Sequence, residues 1–462
     1  MQTPRHIAVI DIGKTNAKLA LVDLSDLTER AVITRPNTVL PGPPWAHFDT
    51  EGHWQFLLDG LKTFHAEHGI DAISITTHGA CAAFLASDGT LAAPVMDYEH
   101  PIPTEVAVEY DRLRPPFADT GTPRLAHGLN LGAQLHYQLQ ADPGLRDRAA
   151  HIVTYPQYWA HRLTGTLASD VTSLGCHTDL WKPATGEFSV LVDRLNIRDM
   201  LAPARRSDSV LGPVLPAIAA VTGLAPDTPV VCGIHDSNAS LLPHLIAQAP
   251  PFSVVSTGTW CVVMSVGAPT VDLDPARDTL INVNAFGQPV PSARFMGGRE
   301  FELIRQGSTS EARKDDLAIV LREGICLLPA VVQDSGPFAG RAHAWTHDQT
   351  ALPDGQRMAV LSLYLALMTA ECLRLTGANG APVIVEGPFA KNRIFLRMLT
   401  AATGAPVRAT ASQTGTAIGA ALLFAGDTPN VMPSLSSALD DAGQEDYAAY
   451  AAAWRGHLKA AS

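Results

Sequence analysis

The sequence predicts an α/β protein built from two related halves, and three features carry that prediction. A strand–turn–strand hairpin opens the chain at residues 7–23 (IAVIDIGKTNAKLALVD). A second hairpin of the same plan occupies residues 252–266 (FSVVSTGTWCVVMSV). Each joins two apolar strands through a polar turn of Gly and Thr. Between them, the apolar run Pro229-Val230-Val231-Cys232 ends in Gly233-Ile234-His235-Asp236. This reads as a buried strand that delivers an acid to its C-terminal edge just before a helix. In open α/β sheets that edge is where ligands sit. One hairpin repeated at the start of each half suggests two related domains facing a single cleft.

The remaining elements follow in order. Apolar residues at Trp54, Leu57, Leu58, Leu61 and Phe64 predict a helix over 53–68, and Ala72 to Thr76 a strand that leads into Thr77-His78-Gly79. Asp97, Tyr98 and Glu99 follow another apolar segment, and with His78 they supply polar groups at strand ends, suited to hydroxyl-rich ligands. A helix is predicted from Tyr155 through Arg162, and short helices split by prolines over 193–224. In the second half, Arg294 to Glu300 is a Gly-containing turn before a helix, and Gln356 to Leu375 a long amphipathic helix whose Arg357 and Glu371 argue against membrane insertion. Val383-Ile384-Val385 is a short strand followed by the turn Glu386-Gly387-Pro388. Ile394 to Thr403 is a helix stopped by Gly404, Thr414 to Ala421 a small-residue helix start, and the Ala-rich tail after Pro429 reads as helical.

Composition narrows the function. The chain has 462 residues, 46% of them hydrophobic and 17% charged, with a net charge of -12. An acidic surface disfavours nucleic acid or an anionic membrane as partner, since both select basic patches. Six scattered cysteines without a C-x-x-C pattern fit reduced, buried thiols in a cytoplasmic protein. No signal-peptide pattern and no membrane span are expected. His343 and His347 are four residues apart, but no third ligand accompanies them, so zinc is discounted.

Gly13-Lys14-Thr15 is not a P-loop. That motif needs a glycine where Ala8 stands, and a helix where Ala17 to Val22 alternates as a strand. Asp11, at the end of the first strand, is either a turn-capping acid or one that helps hold a hydrated Mg²⁺ near nucleotide phosphates. Asp236 is either a helix N-cap or a general base. A Gly/Thr turn such as Ser256-Thr257-Gly258-Thr259 offers N–H groups and hydroxyls to an anion.

Taken together, DIGKTNAK (11–18), GIHDSNA (233–239), STGTW (256–260), EGPFAKNRIF (386–395) and TGTAIGAAL (414–422) resemble the FGGY family of carbohydrate kinases. The resemblance runs from Ile7 to about Ala425, and LTGTLASDVTSLGCHTDLW (163–181) looks like the family's sugar-side loop. GIHD and STGTW are most similar to the L-fuculose and L-rhamnulose kinases. The resemblance implies two ribonuclease-H-like, actin-like ATPase domains around a central cleft, an N-terminal sugar-binding domain (1–247) and a C-terminal ATP-binding domain (248–462). It implies ATP and Mg²⁺, with Asp236 as catalytic base and Asp11 and Asp236 near the metal. Gly13, Lys14, Thr15 and Asn16, with Thr257, Gly258 and Thr259, would form two phosphate loops. Gly298, Gly387, Pro388 and Asn392 would lie on the nucleotide side, and His78, Asp97, Tyr98, His235 and Asp236 on the sugar side. Two departures stand out: Glu386 replaces the first of the usual paired glycines, and Val95-Met96-Asp97-Tyr98-Glu99 departs from the usual sugar-side strand end. The expected partners are a small sugar and ATP; a homodimer is allowed, with no stretch marking an interface. The alternatives are a pentulose kinase acting on L-xylulose or L-ribulose, a non-catalytic sugar or nucleotide sensor, and a partner-driven actin-like ATPase.

Overall fold

The computed structural model describes residues 4–410, 415–426, 431, 434–436 and 443–460. The chain forms two compact units, and neither is a single stretch. Residues up to Ala247 are joined in the first unit by 281–289 and 415–426, both from the second half of the sequence. The simple division at 247/248 is therefore crossed twice: Val283 packs with Val171, Leu174 and Trp181, and Ala285 and the alanines of 417–421 share a buried cluster with sheet residues such as Ile7 and Val9.

In the first unit, β1 (His6–Ile12) and β2 (Asn16–Asp23) make the opening hairpin, antiparallel from His6↔Asp23 to Ile12↔Ala17. β3 (Thr28–Pro36) extends it at the edge, with side chains alternating between exposed and half-buried along much of its length. Helix α1 (Thr50–His68) begins three residues before the expected start at 53, because Asp49 caps it by accepting from the Gly52 N–H at 3.0 Å. Leu57, Leu58, Leu61 and Phe64 turn inward as the spacing predicts. β4 (Ala72–Thr77) runs parallel to β1 and is wholly buried, as a strand covered on both faces must be. Helix α2 (Tyr155–Thr164) ends at Gly165 in the left-handed region. The proline-split region 193–224 holds an edge strand the pattern did not suggest, β5 (Val210–Pro213), before β6 (Pro229–Val231) and β7 (Ile234–His235). The sheet order is β5-β6-β4-β1-β2-β3, with β7 also parallel to β4. Helix α3 (Asp236–Ala247) leaves directly from β7.

The helix Thr416–Ala421 closes this unit. Its small residues allow near-contact packing: a methyl on Gly419 would lie 1.8 Å from the Ala239 carbonyl oxygen of α3. Ala417, Ala420 and Ala421 join Ile7, Val9, Ala20, Val22 and Val231 in one buried cluster, and the Ser74 hydroxyl donates to the Ala420 carbonyl at 2.7 Å. Thr414, expected to begin this helix, lies outside the described residues.

In the second unit, β8 (Phe252–Thr257) and β9 (Cys261–Val266) form the second hairpin, with register Phe252↔Val266 to Thr257↔Cys261. β10 (Pro289–Phe295) pairs with β9 and leads to α4 (Gly297–Arg305). Helix α5 (Asp354–Leu375) is long and apolar enough to cross a membrane, and it lies buried in this unit's core. β11 (Val383–Glu386), α6 (Arg393–Thr403) and β12 (Val407–Ala409) complete the layer, giving the order β10-β9-β8-β11-β12 within the unit. The tail, expected to be helical after Pro429, carries one helix among its described residues, α7 (Gln444–Ala460), with Tyr447, Tyr450 and Trp454 buried; Ser434 to Ser436 is not helical, and much of 427–442 lies outside the described residues. All six cysteines are buried and unpaired with one another.

Candidate active site

The first unit gathers its acids and histidines at the C-terminal ends of neighbouring parallel strands. Pairing sets Asp11 beside Thr76 and Ile234 beside the same Thr76, so β1, β4 and β7 end at one level. Three residues therefore converge by register alone: Asp11 at the end of β1, His78 just past β4, and Asp236 just past β7. The His78 N–H donates to the Ile12 carbonyl at 2.9 Å, which continues the ladder to this edge.

Asp236 is held from one side. Its Oδ1 accepts from the Ser237 N–H at 2.6 Å and lies 3.1 Å from His235 Nε2. Burial raises the Asp236 carboxyl above the ordinary range, opposed by His78 and by the Ser237 donors. Burial lowers His235 to about 4, so the ring is neutral near pH 7 and its Nε2–H faces the carboxylate. Room for that ring depends on Gly79, where a methyl would sit 2.8 Å from His235 Nε2. The His235 N–H donates to Thr172 Oγ1 at 3.0 Å, and Thr172 in turn donates to the buried Asp170. Asp170 also accepts from the Ser173 N–H at 2.9 Å and from Ser207 Oγ at 2.6 Å. Sequence reading placed this loop on the sugar side without identifying Asp170 and Thr172; a Ser-Asp-Val-Thr-Ser cap signature was the available signal.

Asp11 accepts from Thr416 Oγ1 of the late helix. Burial pushes its carboxyl up to about 6, and Asp236 adds to the rise while Lys18 opposes it. Two carboxyls that each raise or feel a raised proton affinity at one strand edge suit a hydrated cation that takes few protein ligands. Among the described residues, no group of three or more His, Cys, Asp or Glu forms a self-sufficient metal site.

The β1–β2 turn is braced by residues that the sequence reading missed. Asn37 donates from its side chain to the Gly13 carbonyl at 2.7 Å and from its N–H to the Thr15 carbonyl at 2.9 Å. Behind it, His53 Nε2 pairs with Asn37 Oδ1 at 2.8 Å and Arg35 donates to His53 Nδ1 at 2.8 Å. Thr15 and Asn16 stay at the exposed turn. Lys14, expected beside phosphate, sends its ammonium toward residues expected on the sugar side: it pairs with Asp97, lies 3.0 Å from Glu99 Oε2, and sits 4.7 Å from the Tyr98 ring centre. The long side chain can span from the turn to that strand end; the turn sequence alone does not reveal its direction. His78 is enclosed by Phe48, Tyr98 and Tyr155, with ring centres 5.1–5.4 Å away.

The second unit brings three glycine turns together. A methyl on Gly298 would stand 2.2 Å from the Gly258 carbonyl oxygen, and one on Gly387 2.0 Å from the Thr257 carbonyl oxygen. Gly387 also has φ +80°, a conformation that favours glycine. Gly258, Thr259 and Pro388 are exposed there. Two expected ligand groups are engaged otherwise. The Thr257 hydroxyl donates to the Glu386 carbonyl and accepts from the Phe389 N–H at 3.1 Å. Asn392 caps α6 by accepting from the Phe395 N–H at 3.1 Å, and its amide donates to Ser362 Oγ at 2.9 Å. Both side chains thus brace the turns at 257–259 and 387–392 from within. Glu386, in the usual place of a glycine, is buried.

Comparison with known proteins finds matches for both halves of the chain. Residues 6–243 match the N-terminal domain of the FGGY family of carbohydrate kinases, and 249–432 match the carbohydrate kinase FGGY C-terminal domain. A carbohydrate kinase from Novosphingobium aromaticivorans is 37% identical, with TM-score 0.91 over 99% of both chains. A xylulose kinase from Rhodospirillum rubrum shares the fold at 20% identity, with TM-score 0.82 over 99% of both chains. An autoinducer-2 kinase from Enterobacter sp. (strain 638) is 27% identical over 61% of this chain, which spans 57% of that kinase's length. With both domain models matched in order, and a relative aligned from end to end, the chain belongs to the FGGY family of carbohydrate kinases.

Proposed function

We propose that this chain transfers the γ-phosphoryl group of ATP to a hydroxyl of a small ketose, with Asp236 as general base. A sugar hydroxyl is a weak nucleophile, and a carboxylate within hydrogen-bond reach can take its proton as the bond to phosphorus forms. The observation that carries the reading is the placement of Asp236: it stands at the strand edge, Oδ1 fixed by His235 and Ser237, in the electrostatic field of His78 and Asp11. Its Oδ2 would receive the proton. The N–H groups of the turns at 13–16 and 257–259 would hold phosphates, and the turns at Gly298 and Gly387-Pro388 would carry the nucleoside end. Asp11, with Asp236, would hold Mg²⁺ through water; the ion supplies neutralisation of phosphate charge.

An L-fuculose- or L-rhamnulose-type ketose is the favoured substrate, from the GIHD and STGTW blocks. The second reading is a pentulose such as L-xylulose or L-ribulose. ADP release should be followed with ATP and Mg²⁺ over ketohexoses, pentuloses, autoinducer-2 and gluconate. Turnover confined to one ketose supports the reading. ATP hydrolysis indifferent to every sugar would favour the partner-driven ATPase class, and nucleotide binding without turnover would favour a sensor.

A further inference from the structure

Resting on that kinase reading, we propose that Lys14 is a substrate-side specificity residue. With His78 it selects neutral polyhydroxylated sugars and turns away sugar acids. Three observations carry this. The Lys14 ammonium is paired with Asp97, which is only 6% exposed in its side chain, and lies 3.0 Å from Glu99, so two carboxylates flank it. It lies over the Tyr98 ring at 4.7 Å, and Tyr98 packs edge-on against His78 at 5.4 Å. His78 itself is buried, and its Nε2 has no hydrogen-bond partner among the described residues.

The His78 tautomer follows from its other nitrogen. Nδ1 is 2.9 Å from the Gly79 carbonyl, which can only accept, so Nδ1 carries the proton. Burial keeps the ring neutral, and Nε2 is left as an acceptor. The side chains gathered around Tyr98 therefore offer a donor, Lys14, and a buried acceptor, His78. A hydroxyl satisfies both, since it accepts and donates. A carboxylate only accepts, so it would leave the buried His78 Nε2 unpaired. It would also compete with Asp97 and Glu99 for one ammonium, near the further acids Asp236 and Asp11.

Three chains test this: the native protein, Lys14→Gln and Lys14→Arg. Steady-state rates are measured with neutral ketoses and with gluconate and a uronate, varying sugar and ATP separately. Lys14→Gln is expected to raise the KM for the neutral sugar about tenfold or more. Its kcat should stay within about threefold and its KM for ATP within about twofold; Lys14→Arg should recover part of the sugar KM. Glu99→Gln, which removes one flanking charge, is expected to raise kcat/KM for the sugar acid relative to the neutral sugar by at least about threefold. A rise in the KM for ATP instead of the sugar would return Lys14 to the phosphate loop and overturn the inference while the kinase reading stands. Native preference for a sugar acid would overturn it equally. No sugar-dependent turnover by the native chain would remove the kinase reading and the inference with it. Melting temperatures confirm that each variant is folded; if Lys14→Gln fails to fold, the Lys14→Arg and Glu99→Gln readouts decide.

Discussion

Replacing Asp236 with Asn separates a base from a helix cap. The two side chains have the same shape, and Asn caps helices about as well as Asp. The Asn oxygen can keep the contacts now made by Oδ1, from the Ser237 N–H at 2.6 Å and from His235 at 3.1 Å. What disappears is the basic Oδ2. General-base catalysis is worth roughly 10²–10⁴ in rate, or ~3–5 kcal/mol of barrier, so kcat should fall by that factor. Stability should not fall. Burial raises the native carboxyl, so its ionised form is disfavoured by folding near neutral pH, and an amide of equal size removes that cost. The assay is coupled ADP release at saturating sugar, ATP and Mg²⁺, with a thermal melt and an ATP-binding isotherm on the same preparation. A variant that keeps kcat within threefold of native, while folded and binding ATP, would sink the base assignment and leave Asp236 as a cap.

Other outcomes follow from the same geometry. Asp11 binds its proton more tightly folded than unfolded, so its contribution to stability is complete below about 3.8 and is lost as pH rises through about 6. Melts without metal should decline over that window, Mg²⁺ should offset the loss at pH 7, and kcat/KM should show an acid limb near pH 6 that Mg²⁺ moves downward; melts flat across the window with and without Mg²⁺ would contradict this. Gly298→Ala, whose methyl would meet the Gly258 carbonyl at 2.2 Å, should raise the KM for ATP about tenfold and leave the sugar KM nearly unchanged; an unaltered ATP KM would remove Gly298 from the nucleotide side. Asn392→Ala loses a helix cap and should cost about 1 kcal/mol by denaturant titration, with the ATP KM changing less than threefold. Glu300, buried beside Tyr364 and the Val332 N–H, has its carboxyl pushed up to about 7 by burial, so its share of stability is lost as pH rises through 7. Glu300→Gln should flatten the stability profile between about pH 5 and 8, and an unchanged slope there would count against it.

Backbone features were legible in the sequence because they depend on local pattern. The two hairpins follow from apolar runs broken by Gly and Thr, and Asp236 at a strand edge follows from the Gly-ended run before it. The convergence of Asp11, His78 and Asp236 needed strand register, which single-sequence periodicity does not specify. Side-chain direction was less accessible still. Lys14 reads as a phosphate-loop lysine until its four-carbon stem is seen to reach Asp97, 83 positions away in sequence. Asn392 and Thr257 read as ligand groups, yet their hydrogen bonds go to α6, Ser362, Glu386 and Phe389. Asn37 and His53 brace the first turn through contacts that no motif announces. Short polar side chains in Gly-rich turns serve caps and ligands equally well, and only the three-dimensional partner decides.

The return of the helix Thr416–Ala421 to β1 and α3 has a consequence for biosynthesis. A nascent chain that has emerged as far as Ala247 has Asp11 and Asp236 but not the alanine face that covers Ile7, Val9 and Val231, nor the hydroxyl that binds Asp11. Its first sheet must wait for more than 160 further residues before that face is sealed. Such long-range closure slows folding and leaves apolar surface open in the interval. A fragment cut at residue 247 should aggregate on expression, and adding 281–289 and 415–426 back as covalent grafts, rather than trimming the boundary, is the route to an isolated first unit.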